Sequence, residues 1–294
     1  MTTTNINAFV KAVKTVIESR LEGYEVTEQN IVKMNDITNH GLVIRRKGDN
    51  AGATLYLDEA FKDFIINGET VESIADSIAE TALRAERYMP TEAENMDLSF
   101  DAIKDRLSCR LVDTERNEAY LEEHPHRFIG AGLAVVAEIN LGRDYSIVIT
   151  NSMAEEYDIF ELFDTALSNM QTKYPAKLIS LEGALFGNSE NVLDSSDGSI
   201  EGVYTLMIDG EHGFGASTLA YKGIAERIRE LFRGSYFILP SSLHEVILIK
   251  DDGTTDEAEL KAMVTEANRS VVEPSDILSD SVFHYGADGL RRVA

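Results

Sequence analysis

The chain is poor in cysteine, in basic residues and in long apolar runs, and each shortage closes off a class of protein. Its 294 residues include one cysteine, Cys109. A single thiol forms no internal disulfide and gives one ligand where a thiolate zinc site needs several. The expectation is a thiol buried beside a strand or helix; a nucleophilic role would need a neighbouring base. Lysine and arginine number 27 against 51 aspartates and glutamates, for a formal charge of −24. A field of that sign repels phosphate backbones, so direct nucleic-acid binding is not expected. The acids are spread over the chain, which suits solvated helix faces; the sharper reading is an acidic surface that imitates DNA. The longest apolar run, Ala131–Ala137, is far short of a bilayer span. Residues 1–7 lack the basic start and apolar stretch of a signal peptide. These shortages predict a soluble, cytoplasmic protein with no membrane partner.

Apolar residues make up 44% of the chain and charged residues 27%, an ordinary globular balance. The length suits one large or two ordinary domains, with a core that needs neither disulfide nor metal. Asn5 is placed to cap a helix carrying Ile6, Phe9, Val10, Val13, Ile17 and Leu21 at helical spacing, ended at Gly23. Strands are expected at Tyr24–Met34, His40–Lys47 and Ala53–Leu57, the last two joined across residues 48–52. A short helix after Asp58 and a longer one over Glu69–Tyr88 follow, then a polar loop around Pro90. Phe100–Leu111 reads as a helix running into a strand, and Thr114–Glu123 as a short acidic helix stopped by Pro125.

In the second half, Phe128–Ile139 and Tyr145–Thr150 read as a hairpin. Ile159–Tyr174 reads as a helix, and Lys177–Leu185 as a second, short one. Residues 188–200 are rich in Ser, Asp, Asn and Gly and read as a surface loop. Val203–Ile208 and Phe214–Ala220 are expected to form a hairpin turning at residues 209–213. Tyr221–Phe232 and Asp256–Arg269 read as helices, and Tyr236–Leu239 and Leu243–Ile249 as strands. Val282–Tyr285 reads as an edge strand and Leu290–Ala294 as a frayed end. Strand and helix do not alternate regularly, so the fold class is α+β with mainly antiparallel sheets and packed helices. A division near residue 124 is expected, giving units 1–123 and 124–294, with a single domain as the alternative.

The densest chemical stretch is Pro240-Ser241-Ser242-Leu243-His244-Glu245. Hydroxyls, an imidazole and a carboxylate crowd together there, but a triad needs the imidazole to bridge the other two. The plainer expectation is a bend in which the serines bond the local backbone and Pro240 sets the direction. His244-Glu245 lacks the second histidine of H-E-x-x-H, and His124-Pro125-His126 lacks further metal ligands nearby. Residues 211–217 contain G-x-G without a helix to follow, and the chain has neither a phosphate-binding loop nor a G-x-S-x-G elbow. Asp251-Asp252-Gly253 reads as a turn before a helix cap. Arg45-Arg46-Lys47 reads as a solvated strand end, and Arg227, Arg229 and Arg233 as partners in ion pairs. No cofactor or metal site is expected.

Several segments carry a resemblance. They are Thr54-Leu55-Tyr56-Leu57 followed by an aromatic helix and Gly68, Lys104-Asp105-Arg106-Leu107, and Pro125-His126-Arg127-Phe128. The most specific are Leu239–Leu248 and Leu278–Tyr285. Together they resemble an uncharacterised domain family of anaerobic gut Firmicutes and their mobile elements. Phe283-His284 departs from a tyrosine-type pattern. The resemblance implies a bacterial cytoplasmic protein and brings no activity or catalytic residue with it. The reading from sequence is a non-enzymatic interaction or accessory protein with an unidentified protein partner. Its candidate surface includes Pro240, Ser241, Ser242, His244 and Glu245, with His126, Arg127 and Asp280. The alternatives are a Ser/His-dependent hydrolase using Ser241 or Ser242 with His244, and a DNA mimic. Convergence of His126, His244 and Asp280 in one cleft would favour an enzyme.

Overall fold

The structure is a computed structural model that describes residues 5–48, 52–88, 96–142, 145–187, 190–195, 199–208, 214–240 and 242–294. Among the described residues there are thirteen strands, every pairing between them is antiparallel, and helices pack beside them. The chain is an α+β protein. It divides into two compact units, Met1–Lys33 with Ile37–Asp97, and Met34–Asp36 with Leu98–Ala294. Apart from Met34–Asp36, the boundary between these compact units lies at residues 97 and 98. The cause is a pairing between distant segments: strand β4 (Leu107–Asp113) lies along β6 (Leu133–Gly142) from Leu107↔Ile139 to Asp113↔Leu133.

In the first unit, Asn5 accepts the Asn7 N–H at 2.8 Å and starts the helix Ile6–Arg20. Strands β1 (Tyr24–Lys33), β2 (Ile37–Arg46) and β3 (Ala53–Tyr56) form one sheet. Period-two placement turns Val26, Leu42, Ile44 and Ala53 inward, against Phe9, Val13 and Ile17 of the first helix and Ile74, Ala75 and Ile78 of the helix Val71–Tyr88. The helix Asp58–Ile66 lays Phe61 and Phe64 on Phe9, with ring centroids 5.2 and 5.1 Å away. Each fully buried ring or branched chain contributes about 1.5–3 kcal/mol.

The second unit holds two sheets. In the first, β6 is flanked by β4 on one side and by β5 (His126–Gly130) and β7 (Tyr145–Val148) on the other. The helix Ile159–Lys173, capped by Asp158, buries Leu162, Phe163, Ala166 and Met170. The Met170 sulfur accepts the Cys109 N–H at 2.9 Å. Burial pushes the Cys109 thiol far up, which leaves it inert. The second sheet has the order β13-β12-β10-β11-β9-β8. Its strands are β8 (Ala176–Ser180), β9 (Val203–Ile208), β10 (Tyr236–Leu239), β11 (Val246–Lys250), β12 (Phe283–Gly286) and β13 (Gly289–Arg292). One face of it packs Phe237, Leu239 and Val282 against Leu260 and Val264 of the helix Glu257–Ser270.

Four expectations from sequence give way here. Phe214–Ala220 is not a strand: Gly215–Ala220 is a 3-10 helix, in which the Thr218 hydroxyl donates to the Gly215 carbonyl at 2.7 Å. Strand β9 instead pairs with β8 and β11, and the expected turn lies outside the described residues. Ala176–Ser180 is strand, and only Leu181–Phe186 is helix, started by the Ser180 hydroxyl accepting the Gly183 N–H. The last residues are not frayed. β13 pairs with β12, and the Val282 N–H reaches the Ala294 carbonyl at 2.9 Å. The edge of the sheet is therefore β13, and β12 is internal.

Candidate functional site

Between β10 and β11 the chain bends through Pro240–Glu245. Pro240, Ser242 and Leu243 are buried, Glu245 is half-buried, and Ser241 lies outside the described residues. The Ser242 hydroxyl accepts the backbone N–H of His244 at 3.1 Å, which closes the bend locally. The Leu243 N–H donates to the Asp276 carbonyl at 2.9 Å, and its carbonyl accepts the Ala216 N–H at 3.1 Å. Position 215 admits only glycine, because a Cβ there would stand 2.1 Å from the His244 carbonyl oxygen. The His244 ring turns outward. Its Nε2 lies 3.3 Å from an Asp276 carboxylate oxygen, and the ring stacks on Phe214 at 6.3 Å. Phe214 also lies under the Arg110 guanidinium, 3.7 Å from ring centre to charge, and Arg110 faces buried Glu138 at 2.8 Å.

His126 and Arg127 occupy β5 and point to opposite faces of its sheet. Arg127 donates to Asp164 at 2.6 Å and to the Phe160 carbonyl at 2.8 Å, and lies over the Phe163 ring. The His126 ring meets Phe128 edge-on at 5.0 Å, and its Nδ1 lies 3.1 Å from the His124 carbonyl. His124 is buried, stacked on Tyr120 at 4.2 Å. The two histidines of His124-Pro125-His126 therefore serve packing and backbone contacts.

Asp280 belongs to a third network. It pairs with Arg116 and accepts from Asn268 at 2.9 Å. Asn268 also donates to the Ser279 carbonyl. The hydroxyl of Ser279 donates to Asp113, whose side chain is almost wholly buried. Arg292 donates to the same carboxylate at 3.0 Å and, at 3.3 Å, to the Ser281 hydroxyl and the Ala131 carbonyl. Gly132 leaves room for this guanidinium, since a Cβ there would approach Arg292 Nη2 to 2.5 Å. Asn117 links this network to Met34–Asp36: it accepts the Asn35 N–H, and Asp36 caps the helix Glu118–Glu123 through the Ala119 and Tyr120 N–H groups. The segment Leu278–Ser281 thus fastens loops.

Asp251 is the centre of a fourth group. It accepts from Ser235 at 3.1 Å and from the Gly253 N–H at 2.9 Å, and it faces His284 Nε2 at 2.9 Å. Burial alone would raise its pKa; the bonds from His284, Gly253 and Ser235 outweigh that and hold the carboxyl below its usual range. The carboxylate, not the imidazole, bridges the other two, which is the wrong order for activating a serine. Asp113, Asn268, Asp276 and Arg292 escaped sequence reasoning, because each meets its partners from elsewhere in the chain; Asp251 reads in the sequence only as part of a turn, which does not announce its contacts with Ser235 and His284. His126, His244 and Asp280 sit in three different networks. Two clefts of the second unit, of about 200 and 340 Å³, are lined by Arg106, Asn169 and Lys173 and by Pro175, Lys177 and Tyr221 respectively, and neither is lined by a candidate residue. Among the described residues no group of three or more His, Cys, Asp or Glu is placed to hold a metal, and no helix is long and apolar enough to cross a membrane.

A sequence model of a family of unknown function (DUF5688) matches residues 6–287. No curated protein and no solved structure matches the chain.

Proposed function

The chain belongs to that family of unknown function, so its role must be read from its own residues, and we propose that it is a non-enzymatic interaction or accessory protein. One observation carries this reading. Phe128 and Phe160 stand 67% and 79% exposed on elements joined through Arg127, while Ser242 and Arg127 hold backbone, His244 faces Asp276 and Asp280 pairs with Arg116. Large aromatic side chains left exposed on the two faces beside one sheet edge mark a candidate interaction surface. The Pro240–Glu245 bend offers little to a partner, since Pro240, Ser242 and Leu243 are buried. The corner at His126 and Arg127 is the better surface. Cytoplasmic residence and a bacterial or mobile-element origin belong to the same proposal and rest on the resemblance of the Leu239–Leu248 and Leu278–Tyr285 segments.

The test is chemical cross-linking in the producing cells, followed by purification through a tag and then reciprocally through each captured protein. A partner recovered in both directions, with cross-links from residues near β5, supports the reading. Reproducible absence of any partner contradicts it. A second reading, a Ser/His-dependent hydrolase, is favoured by the outward His244 ring beside Asp276. It requires hydrolysis of an activated ester that His244→Ala abolishes.

A further inference from the structure

We propose that the outer edge of β5 takes up an extended, basic and apolar segment of a partner protein as an added strand. This rests on the interaction reading and names the surface and the chemistry of the partner. Among the described residues β5 pairs with β6 alone, so its other edge carries no strand. An open edge is a template for strand addition, with backbone bonds for affinity and alternate side chains for selectivity.

The two faces beside this edge are furnished for such a strand. On one face stands Phe128, held edge-on by His126. On the other, Arg127 is drawn down onto the helix Ile159–Lys173 by Asp164 and by the carbonyl of Phe160, a residue whose side chain is exposed. Successive side chains of an added strand would point alternately to these two faces.

The surroundings select a basic occupant. From Glu155 to Asp164 the chain carries five carboxylates and no lysine or arginine, and Glu122-Glu123 lie just ahead of β5. Arg127 is already paired with Asp164, and Lys104, which lies near Glu161, is paired with Asp101. A second copy of the chain would bring another −24 to the contact, and like charges oppose it.

The experiment uses the full chain and a fluorescein-labelled eight-residue peptide alternating Lys or Arg with Val or Phe. Binding is read by anisotropy, with amide chemical shifts locating the contact. The expected result is salt-sensitive binding that shifts the amides of residues 126–130. Phe128→Ser and Phe160→Ser, both at exposed positions, should each weaken it about tenfold or more, as loss of an aromatic anchor does. Methylating alternate peptide nitrogens should remove binding on one register, because the ladder bonds are then blocked. Failure of the peptide to bind overturns the proposal, as does binding that both variants leave unchanged. Self-association of the free chain that the same variants abolish also overturns it, by making a second copy the occupant. These outcomes are separate from the cell cross-linking result: a reciprocal partner that contacts another surface refutes the β5 edge while the interaction reading stands.

Discussion

Replacing Arg292 by methionine tests the network that fastens the second unit. The substitution keeps a long chain beside Phe283 and removes the charge. It leaves the Asp113 carboxylate, 1% exposed, with only the Ser279 hydroxyl and the Glu115 N–H. Stripping one partner from a buried ion pair costs about 3–5 kcal/mol. The bond from Arg292 to Glu115 adds little, because that carboxylate is 72% exposed and surface pairs contribute about 0–1 kcal/mol. For a domain of this size the loss corresponds to a fall in Tm of about 6–20 °C. The chain has no tryptophan, so circular dichroism and calorimetry are the suitable probes. Pairing the substitution with Asp113→Asn should recover much of the loss, since the buried charge is then gone; the double-mutant cycle should show a coupling of about 2 kcal/mol or more. A single-variant loss below about 1 kcal/mol would refute the reasoning. It would mean that the hydroxyl and the N–H already satisfy the carboxylate.

Three further outcomes follow from the geometry. Gly215→Ala should abolish soluble expression or lower stability by about 3 kcal/mol or more, because the new methyl collides with the His244 carbonyl; a thermal melt equal to that of the parent chain would contradict it. Cys109 should resist thiol reagents in the native chain and react only at the rate of unfolding, since its thiol is buried and its pKa raised; fast native labelling would refute this. The depressed carboxyl of Asp251 contributes stability that is full above its unfolded value of about 3.9 and lost as the pH falls through the folded value. Asp251→Asn should therefore lower stability at neutral pH and flatten the acid limb of the stability profile, and an unchanged acid limb would count against the bond to His284.

Much of the first unit is legible in the sequence, because its signals are local. Asn5 caps the first helix, Gly23 in a left-handed conformation turns the chain into β1 two residues past the Leu21 cap, and alternation in β2 and β3 matches a sheet with one buried face. The misread elements are those whose structure is decided from far away. Phe214–Ala220 looks like a strand by alternation, yet β4 and the Leu243 carbonyl claim it: the Ser217 hydroxyl accepts the Leu111 N–H at 3.0 Å, and the Ala216 N–H goes to Leu243. Ala176–Leu185 has an apolar content equally suited to strand or helix, and the pairing of Leu178 with Leu206 settles its first half. The C-terminal residues look like an end to fray, but Arg292 and Ala294 are bonded to partners that no short-range pattern announces. The bend at Ser242 is legible, because a serine hydroxyl accepting the N–H two residues further on is a local motif. The Asp276 carboxylate beside His244 is not, because it lies 32 residues away in the chain.

The sharpest check on a protein that binds instead of cleaving is labelling of the native chain with a fluorophosphonate, which modifies only an activated serine. The account predicts no modification of Ser241 or Ser242 beyond that of a denatured control. Stoichiometric labelling of either serine, lost in His244→Ala and in Asp276→Asn, would make this an enzyme.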